Sequence, residues 1–238
     1  MPEAYPVIWA TWPDCRMSYV ITIDGPAGAG KSTVAKDVAR ELGIKYLDTG
    51  AIYRAIALIL HESEVKPVDD DIMREALSGI DIQLQGKAVL VNGFDVAGEI
   101  RTSEVDELAS VYSAIPSVRK ALLSLQKEQE NHGSIVAEGR DVGSVVFPRA
   151  KVKFFLTATP EARAKRRYDE RVAKGKPADY DEILQSIIER DKNDSSREVA
   201  PLIVPEGAIY LDTSGLTEQQ AVQYILEKVK EVIPDETK

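Results

Sequence analysis

Residues Gly25-Pro26-Ala27-Gly28-Ala29-Gly30-Lys31-Ser32 stand between the apolar run Tyr19-Val20-Ile21-Thr22-Ile23 and a helical pattern that opens Thr33-Val34-Ala35-Lys36. Strand, glycine-rich loop and helix in this order make a cradle for the phosphates of a nucleoside triphosphate. The glycines let the backbone curl until successive amide hydrogens converge on phosphate oxygens, and the following helix adds its positive N-terminal dipole. Lys31 reaches the terminal phosphates and Ser32 can ligate magnesium, so Gly25 to Thr33 is the candidate donor site.

Four further clusters could complete a reaction centre. In Tyr46-Leu47-Asp48-Thr49-Gly50-Ala51-Ile52-Tyr53-Arg54 an extended piece ends and a helix follows. Arg54 offers a planar fork matched to phosphate oxygens and Tyr53 an aromatic face or hydroxyl, although Arg54 read alone is equally an ordinary exposed helix charge. Ala137-Glu138-Gly139-Arg140-Asp141-Val142-Gly143 follows the strand Ile135-Val136-Ala137, where an open parallel sheet binds ligands outside its carboxyl edge. Glycines there let backbone approach a ligand, and Arg140 and Asp141 are candidates for phosphate and base recognition; the other reading is an Arg–Asp ion pair within the loop. Arg190, Asp194 and Arg197 fall within roughly 60° of arc if one helix carries all three. They grip a phosphate or ribose, or form a solvated ion-pair face. Arg163, Arg166, Arg167 and Arg171 share a helical stripe leading into Ala173-Lys174-Gly175-Lys176-Pro177. That suits a lid over transferring phosphates, or a solubilising basic face.

The elements that must hold these groups alternate. Tyr19 to Ile23, Ile135 to Ala137, Val152 to Leu156 and Ile209 to Leu211 read as buried strands, which implies a parallel sheet in an α/β fold. Thr159-Pro160-Glu161-Ala162 reads as a helix start, and Thr217-Glu218-Gln219-Gln220 as a capping box. Ala221, Ile225, Val229 and Ile233 then supply the apolar stripe of a C-terminal helix. One stretch breaks the rhythm. Ile80 to Gln85 and Ala88 to Gly93 alternate around Gly86, a β-hairpin between helical patterns at 70–77 and 103–113. We read about 78–111 as a small subdomain inserted into the sheet-forming chain.

The chain has 238 residues and a formal charge of −9, from 30 Lys+Arg against 39 Asp+Glu. One compact α/β unit with an insert is the expected scale. The charge argues against a partner that is a nucleic acid polymer or an anionic membrane, so an anionic substrate has to be held by local basic clusters. A single cysteine, Cys15, leaves no disulfide framework and fits a reducing compartment. No segment approaches the roughly 20 apolar residues that span a bilayer. His61 and His132 read as surface or helix-end residues.

These clusters, in this order, resemble the bacterial cytidylate kinases within the P-loop nucleoside monophosphate kinases, from Ser18 to the C-terminal helix. The motifs that carry the resemblance are Ile23 to Thr33, Leu47 to Arg54 and Gly139-Arg140-Asp141-Val142-Gly143. Val145-Val146-Phe147-Pro148, Glu189-Arg190-Asp191 and Val199-Ala200-Pro201-Leu202 add to them. The resemblance implies a three-layer P-loop NTPase fold with a parallel sheet, a monophosphate-binding insert with a hairpin, and a short lid at about 171–181. It also implies phosphorylation of CMP and dCMP by ATP with Mg2+, in a cytoplasmic monomer that takes nucleotides as its partners. Lys31, Arg54, Arg140 and Arg197 would be catalytic, with Arg163 and Arg167 on the ATP side. Thr49, Tyr53 and Arg54 would line the monophosphate pocket, and Arg54, Arg140 and Arg197 would hold its phosphate. Ser110, Arg119 and Asp141 would read cytosine, and Arg190 and Asp194 would hold the sugar. Glu138 stands where well-known members of the family carry aspartate, and its extra methylene leaves its partner open, while Thr49 stands where some carry serine. Other readings are a kinase for UMP, AMP or a metabolite hydroxyl, or an ATP-binding switch without turnover.

Residues 1–16 have no counterpart in the family. They contain Pro2, Pro6, Pro13 and both tryptophans, without the basic and apolar regions of a secretory signal. We expect Met17 to be the biological start; the other reading is an arm that packs its tryptophans on the body or on a neighbouring chain. Intact mass of the protein from its native host should match a chain beginning at Met17, and a mass matching Met1 overturns this.

Overall fold

A computed structural model describes residues 18–85 and 88–234. The amino-terminal extension, the start at Met17 and the hairpin turn at Gly86 lie outside these residues. Five parallel strands form the main sheet: β1 (Val20–Asp24), β2 (Lys45–Asp48), β6 (Ile135–Gly139), β7 (Val152–Thr157) and β8 (Ile209–Asp212), in the order β2-β6-β1-β7-β8. Every residue of the central β1 is buried, as its continuous apolar reading requires. Both β1 and β6 run further than their apolar cores, through Asp24 and through Glu138-Gly139. Asp24 pairs with Gly139, and Asp48 with Glu138, so the polar residues line up along one carboxyl edge.

Side-chain alternation assigns the two faces. Ile21, Ile23, Val136, Phe154 and Leu156 pack under α1 (Lys31–Leu42) and α8 (Glu218–Val232). Ile135, Ala137 and Leu47 pack under α2 (Thr49–Glu62) and α5 (Pro116–Glu128). Helix, sheet and helix make three layers. The Thr217–Gln220 capping box is formed in both directions.

Between α2 and α5 lie α3 (Asp71–Ser78), a second sheet of β3 (Ile82–Gln85), β4 (Ala88–Val91) and β5 (Phe94–Asp95), and α4 (Ser103–Tyr112). The hairpin expected from alternation is therefore three strands rather than two. Asn92 and Gly93, read above as the end of a strand, both take positive φ, at 50° and 85°, and turn β4 into β5. Asn-Gly is the dipeptide that tolerates this left-handed pair. Ile82, Val89, Val91, Ile100 and Val105 share one core with Ile52, Ile56 and Leu60 of α2.

After β7 come α6 (Pro160–Ala173) and α7 (Tyr180–Ser195), packed on each other through Ala164, Ile183 and Ile187. Thr159 caps α6 through the Ala162 amide. Helix α7 stops at Ser195, so Arg197 does not continue the face expected to carry it with Arg190 and Asp194.

Asp24 ties the edge together. Its carboxylate, fully buried, accepts the amides of Val142 and Gly143, each at 2.7 Å, and so fixes a wide π-type turn at 142–146 just beyond Arg140-Asp141. This explains Gly143: a Cβ there would lie 2.7 Å from Thr22 Oγ1 and 3.0 Å from Asp24 Oδ2. The glycine makes room for the protein's own carboxylate rather than for a ligand. Burial pushes the Asp24 carboxyl up from 3.8 to about 7, against the pull of the two amides. Between those two pH values the folded state binds more protons than the unfolded chain, so Asp24 makes stability fall as pH rises through that window. Asp24→Asn removes the titration. The unfolding free energy of the wild type minus that of the variant should fall by about 1 kcal/mol per pH unit across it. Urea unfolding at several pH values tests this, and a constant difference overturns it.

Candidate active site

Three carbonyls of the glycine-rich loop are occupied by side chains. Pro26 O accepts Lys31 Nζ at 2.8 Å, Ala27 O accepts Arg163 at 3.2 Å and Ala29 O accepts Thr213 Oγ1 at 3.1 Å. Gly25, whose φ is 147°, lies against strand β7, where a Cβ would sit 1.8 Å from Leu156 O. Three of the loop's carbonyls are thus already engaged within the protein. The α1 N-terminus continues it: Gly30 caps the helix in a left-handed conformation without any side-chain bond, whereas α2, α3, α4, α6, α7 and α8 each take an Asp or Thr oxygen at that position. Helix α5 also lacks a side-chain cap, but at α1 the open end lies beside Lys31, an arrangement that suits an anion.

Lys31 is buried beside it. Burial, with repulsion from Arg140 and Arg190, brings its ammonium down to about 7, although Glu138 and Asp24 pull the other way. Ser32 Oγ donates to Glu138 Oε1 at 2.6 Å, and Tyr46 OH donates to the same oxygen at 3.2 Å. Glu138 thus has its partner: it faces the loop serine from the end of β6. Hydroxyl and carboxylate oxygens side by side suit a hard divalent cation that keeps phosphate and water as its other ligands. Among the described residues no group of three or more His, Cys, Asp or Glu side chains could hold a metal by itself.

Opposite the loop, one cavity collects Lys31 and the arginines 54, 119, 140, 167, 190 and 197, against only Asp106, Glu138, Asp141 and Asp194. An acidic chain has gathered a cationic cleft. Arg140 Nε donates to Asp194 Oδ2 at 3.0 Å and Arg197 Nη2 to Asp194 Oδ1 at 2.5 Å. Burial alone would raise the Asp194 carboxyl, but Arg140, Arg197 and Arg190 hold it below its ordinary range. Asp194, expected to hold a sugar, here holds two arginines in place. Arg190 Nε is buried without a hydrogen-bond partner, and burial together with Arg140 lowers its guanidinium to about 10. An anion in the cleft relieves both penalties. Arg54 donates to both oxygens of Asp48, at 3.2 and 3.1 Å, with its side chain 17% exposed, which removes the reading of a free surface charge.

The Arg140–Asp141 loop ion pair is not formed. Asp141 is bonded instead to Arg119, which also donates to Ser113 O at 3.1 Å and lies over the Tyr53 ring at 5.3 Å. Acceptor and donor stand side by side in the wall of the cavity. Thr49 Oγ1 donates to Glu138 O at 2.7 Å, which fixes the start of α2 against β6. Of the serines on this side, Ser113 lines the cavity and binds Arg197 Nη2 through Oγ at 3.0 Å. Ser110, a turn earlier, offers Arg197 its carbonyl at 3.5 Å.

Arg163, Arg166, Arg167 and Arg171 do line one second cavity, between the loop, α4, α6 and the start of α8. They play different parts. Arg163, 2% exposed, is held by Asp191 at 3.0 and 2.6 Å and supports Ala27 from below. Arg166 donates to Thr213 Oγ1 at 3.2 Å, and Arg167 Nη2 is 3.7 Å from Asp106 Oδ2. His61 and His132 are exposed, as read.

Asp24, Asp48, Asp106 and Ser113 were not singled out from the sequence. Asp24 and Asp48 did carry a signal, a charged residue ending a buried strand just before a loop. Asp106, inside an ordinary amphipathic helix, carried none.

The family model described as Cytidylate kinase matches residues 21–231. The chain is 51% identical over 211 residues to a cytidylate kinase of Fervidobacterium nodosum, covering 89% of this chain and 96% of that one. It is 46% identical over 215 residues to one of Caldanaerobacter subterraneus subsp. tengcongensis, covering 90% and 96%. With one of Mycobacterium leprae it shares 45% over 213 residues, covering 89% and 96%. A match that runs from the first strand through the phosphate loop and the arginine cluster into the last helix places this chain in the cytidylate kinase family.

Proposed function

We propose that this chain transfers the γ-phosphoryl group of ATP to the phosphate of CMP or dCMP, giving CDP or dCDP and ADP. The observation that carries this reading is the cleft itself, in which an open helix N-terminus and Lys31 face Arg54, Arg140, Arg190 and Arg197, with the Arg119–Asp141 pair in the wall. An oxygen of the monophosphate attacks the γ-phosphorus in line as the bond to the β–γ bridging oxygen breaks and its electrons leave on ADP. The attacking oxygen is already anionic, so no general base is needed and positioning with charge neutralisation carries the catalysis. Mg2+, when bound with ATP, supplies charge neutralisation on the donor phosphates; Ser32 and Glu138 are the oxygens placed to hold it. Arg54, Arg140 and Arg197 take the acceptor phosphate, and Arg190 the phosphate or sugar beside it. Asp141 accepts from the exocyclic amine of cytosine and Arg119 donates to its ring nitrogen and carbonyl. Uracil puts a carbonyl where cytosine has the amine and an N–H where it has an acceptor nitrogen, so Asp141 faces an acceptor and Arg119 a donor.

The insert at about 78–111 shapes the acceptor side through α4, and about 171–181 forms a lid, with Arg171 at its root. We further propose a monomer acting in the cytoplasm. Among the described residues no helix is long and apolar enough to cross a membrane.

A coupled assay across CMP, dCMP, UMP and AMP tests the assignment: CMP and dCMP should be the preferred acceptors. ATP binding without turnover on any monophosphate would overturn it in favour of a switch. Arg140→Ala should lower turnover with CMP by orders of magnitude and leave ATP affinity little changed; unaltered turnover rejects its role. Asp141→Ala should erode the preference for CMP over UMP by about 1–3 kcal/mol, the cost of one buried hydrogen bond. An unchanged specificity ratio refutes that assignment.

A further inference from the structure

Asp106 is an anion where two anionic substrates have to meet. It lies on α4, which belongs to the insert, in the wall shared by the loop-side cavity and the acceptor cavity. Its two carboxylate oxygens face different arginines: Oδ1 is 3.6 Å from Arg54 Nη1 and Oδ2 is 3.7 Å from Arg167 Nη2. It also raises the charge preference of Arg190 across the cleft. Behind Arg54 the alternation continues, since Asp48 holds Arg54 Nη2 at 3.1 Å and Arg101 Nη1 at 3.1 Å. Five side chains of alternating sign, Arg101, Asp48, Arg54, Asp106 and Arg167, thus run from the insert across β2 and α2 and over α4 to α6.

A carboxylate in this place holds Arg54 and Arg167 while it opposes the binding of either phosphate group. Resting on the phosphoryl-transfer reading above, we propose that Asp106 is a positioning residue that couples the two substrate sites by bridging Arg54 on the acceptor side and Arg167 on the donor side. The first phosphate to arrive has to displace the bridge from its arginine. Once the carboxylate has swung away, the second phosphate meets an arginine that is already released. The work of opening falls on the first ligand only, which makes binding of the two mutually favourable by one shared factor. The Asp106 side chain is 32% exposed and those of Arg54 and Arg167 are 17% and 29% exposed, so the bridge is partly screened. A coupling of about 3- to 10-fold is the expected scale.

Titration with a non-hydrolysable ATP analogue and Mg2+, with and without saturating CMP, reads the coupling without turnover, and the reciprocal titration of CMP checks it. In the wild type each ligand should tighten the other by that factor. In Asp106→Asn each ligand alone should bind about 3- to 10-fold tighter, because a competing anion is gone, and the coupling should fall to within about twofold of unity. Asp106→Ala should behave like the Asn variant, and Asp106→Glu, which keeps the charge, should keep the coupling. Folding of each variant is checked by its thermal midpoint. Undiminished coupling in the Asn and Ala variants, or binary affinities that do not rise, overturns the proposal while leaving the kinase reading intact. If the wild type binds a different monophosphate in preference to CMP, the cytidylate reading fails, and the same cycle run with that nucleotide decides the coupling.

Discussion

Seven basic side chains cannot be held in one cleft by attraction to each other. Left alone they would repel, lose protons or turn outward to water, and burial sharpens each of these tendencies. The site exists because acidic side chains on different elements hold the cations at fixed points: Asp194 at the end of α7, Asp48 at the end of β2, Asp141 after β6, Asp106 on α4. Most of these carboxylates hold two arginines at once, so positive charge still exceeds negative. Burial first, and the neighbouring arginines second, draw Lys31 and Arg190 below their ordinary values. This cationic cleft suits anions, and its net positive charge comes at a cost to the folded state.

Sheet order decides which of these groups can meet. Because β1 and β6 are neighbours, the phosphate loop and the Arg140-Asp141 loop leave the same edge side by side. Asp24 then fixes the second loop from the end of the first strand, and Glu138 reaches Ser32 across the same boundary. On the outer side of β6, the Asp48–Glu138 pairing sets the start of α2, and with it Thr49, Tyr53 and Arg54. Two parallel registers are enough to bring donor and acceptor chemistry together.

Much of this was legible in the chain, and the parts that were not share a cause. The phosphate loop, the strands, the capped helices and the arginine clusters are written in local patterns, where residue type and spacing are enough. Pairing is written across distance. Which carboxylate Arg140 chooses depends on the end of α7 lying beside the turn after β6, and no local feature separates Asp141 from Asp194 as its partner. Arg163 sits on the same stripe as Arg167, yet one is sealed under the loop and the other faces the cleft, because Asp191 of α7 lies against the first. Asn92-Gly93 signals the turn into the third strand of the insert, but the alternation runs through that pair and masks it. Ser113 rather than Ser110 reaches the cavity, a difference of one turn set by how α4 ends on α5.

The buried Arg163 has a mechanical consequence. It joins α6 to α7 through Asp191 and at the same time carries the carbonyl of Ala27 in the phosphate loop. Loop and helix pair are therefore clamped at their base into one rigid lever. The connection at 174–179, beyond the last turn of α6, lies outside that clamp. The base of the helix pair is thus anchored in the phosphate loop itself, and not in the insert.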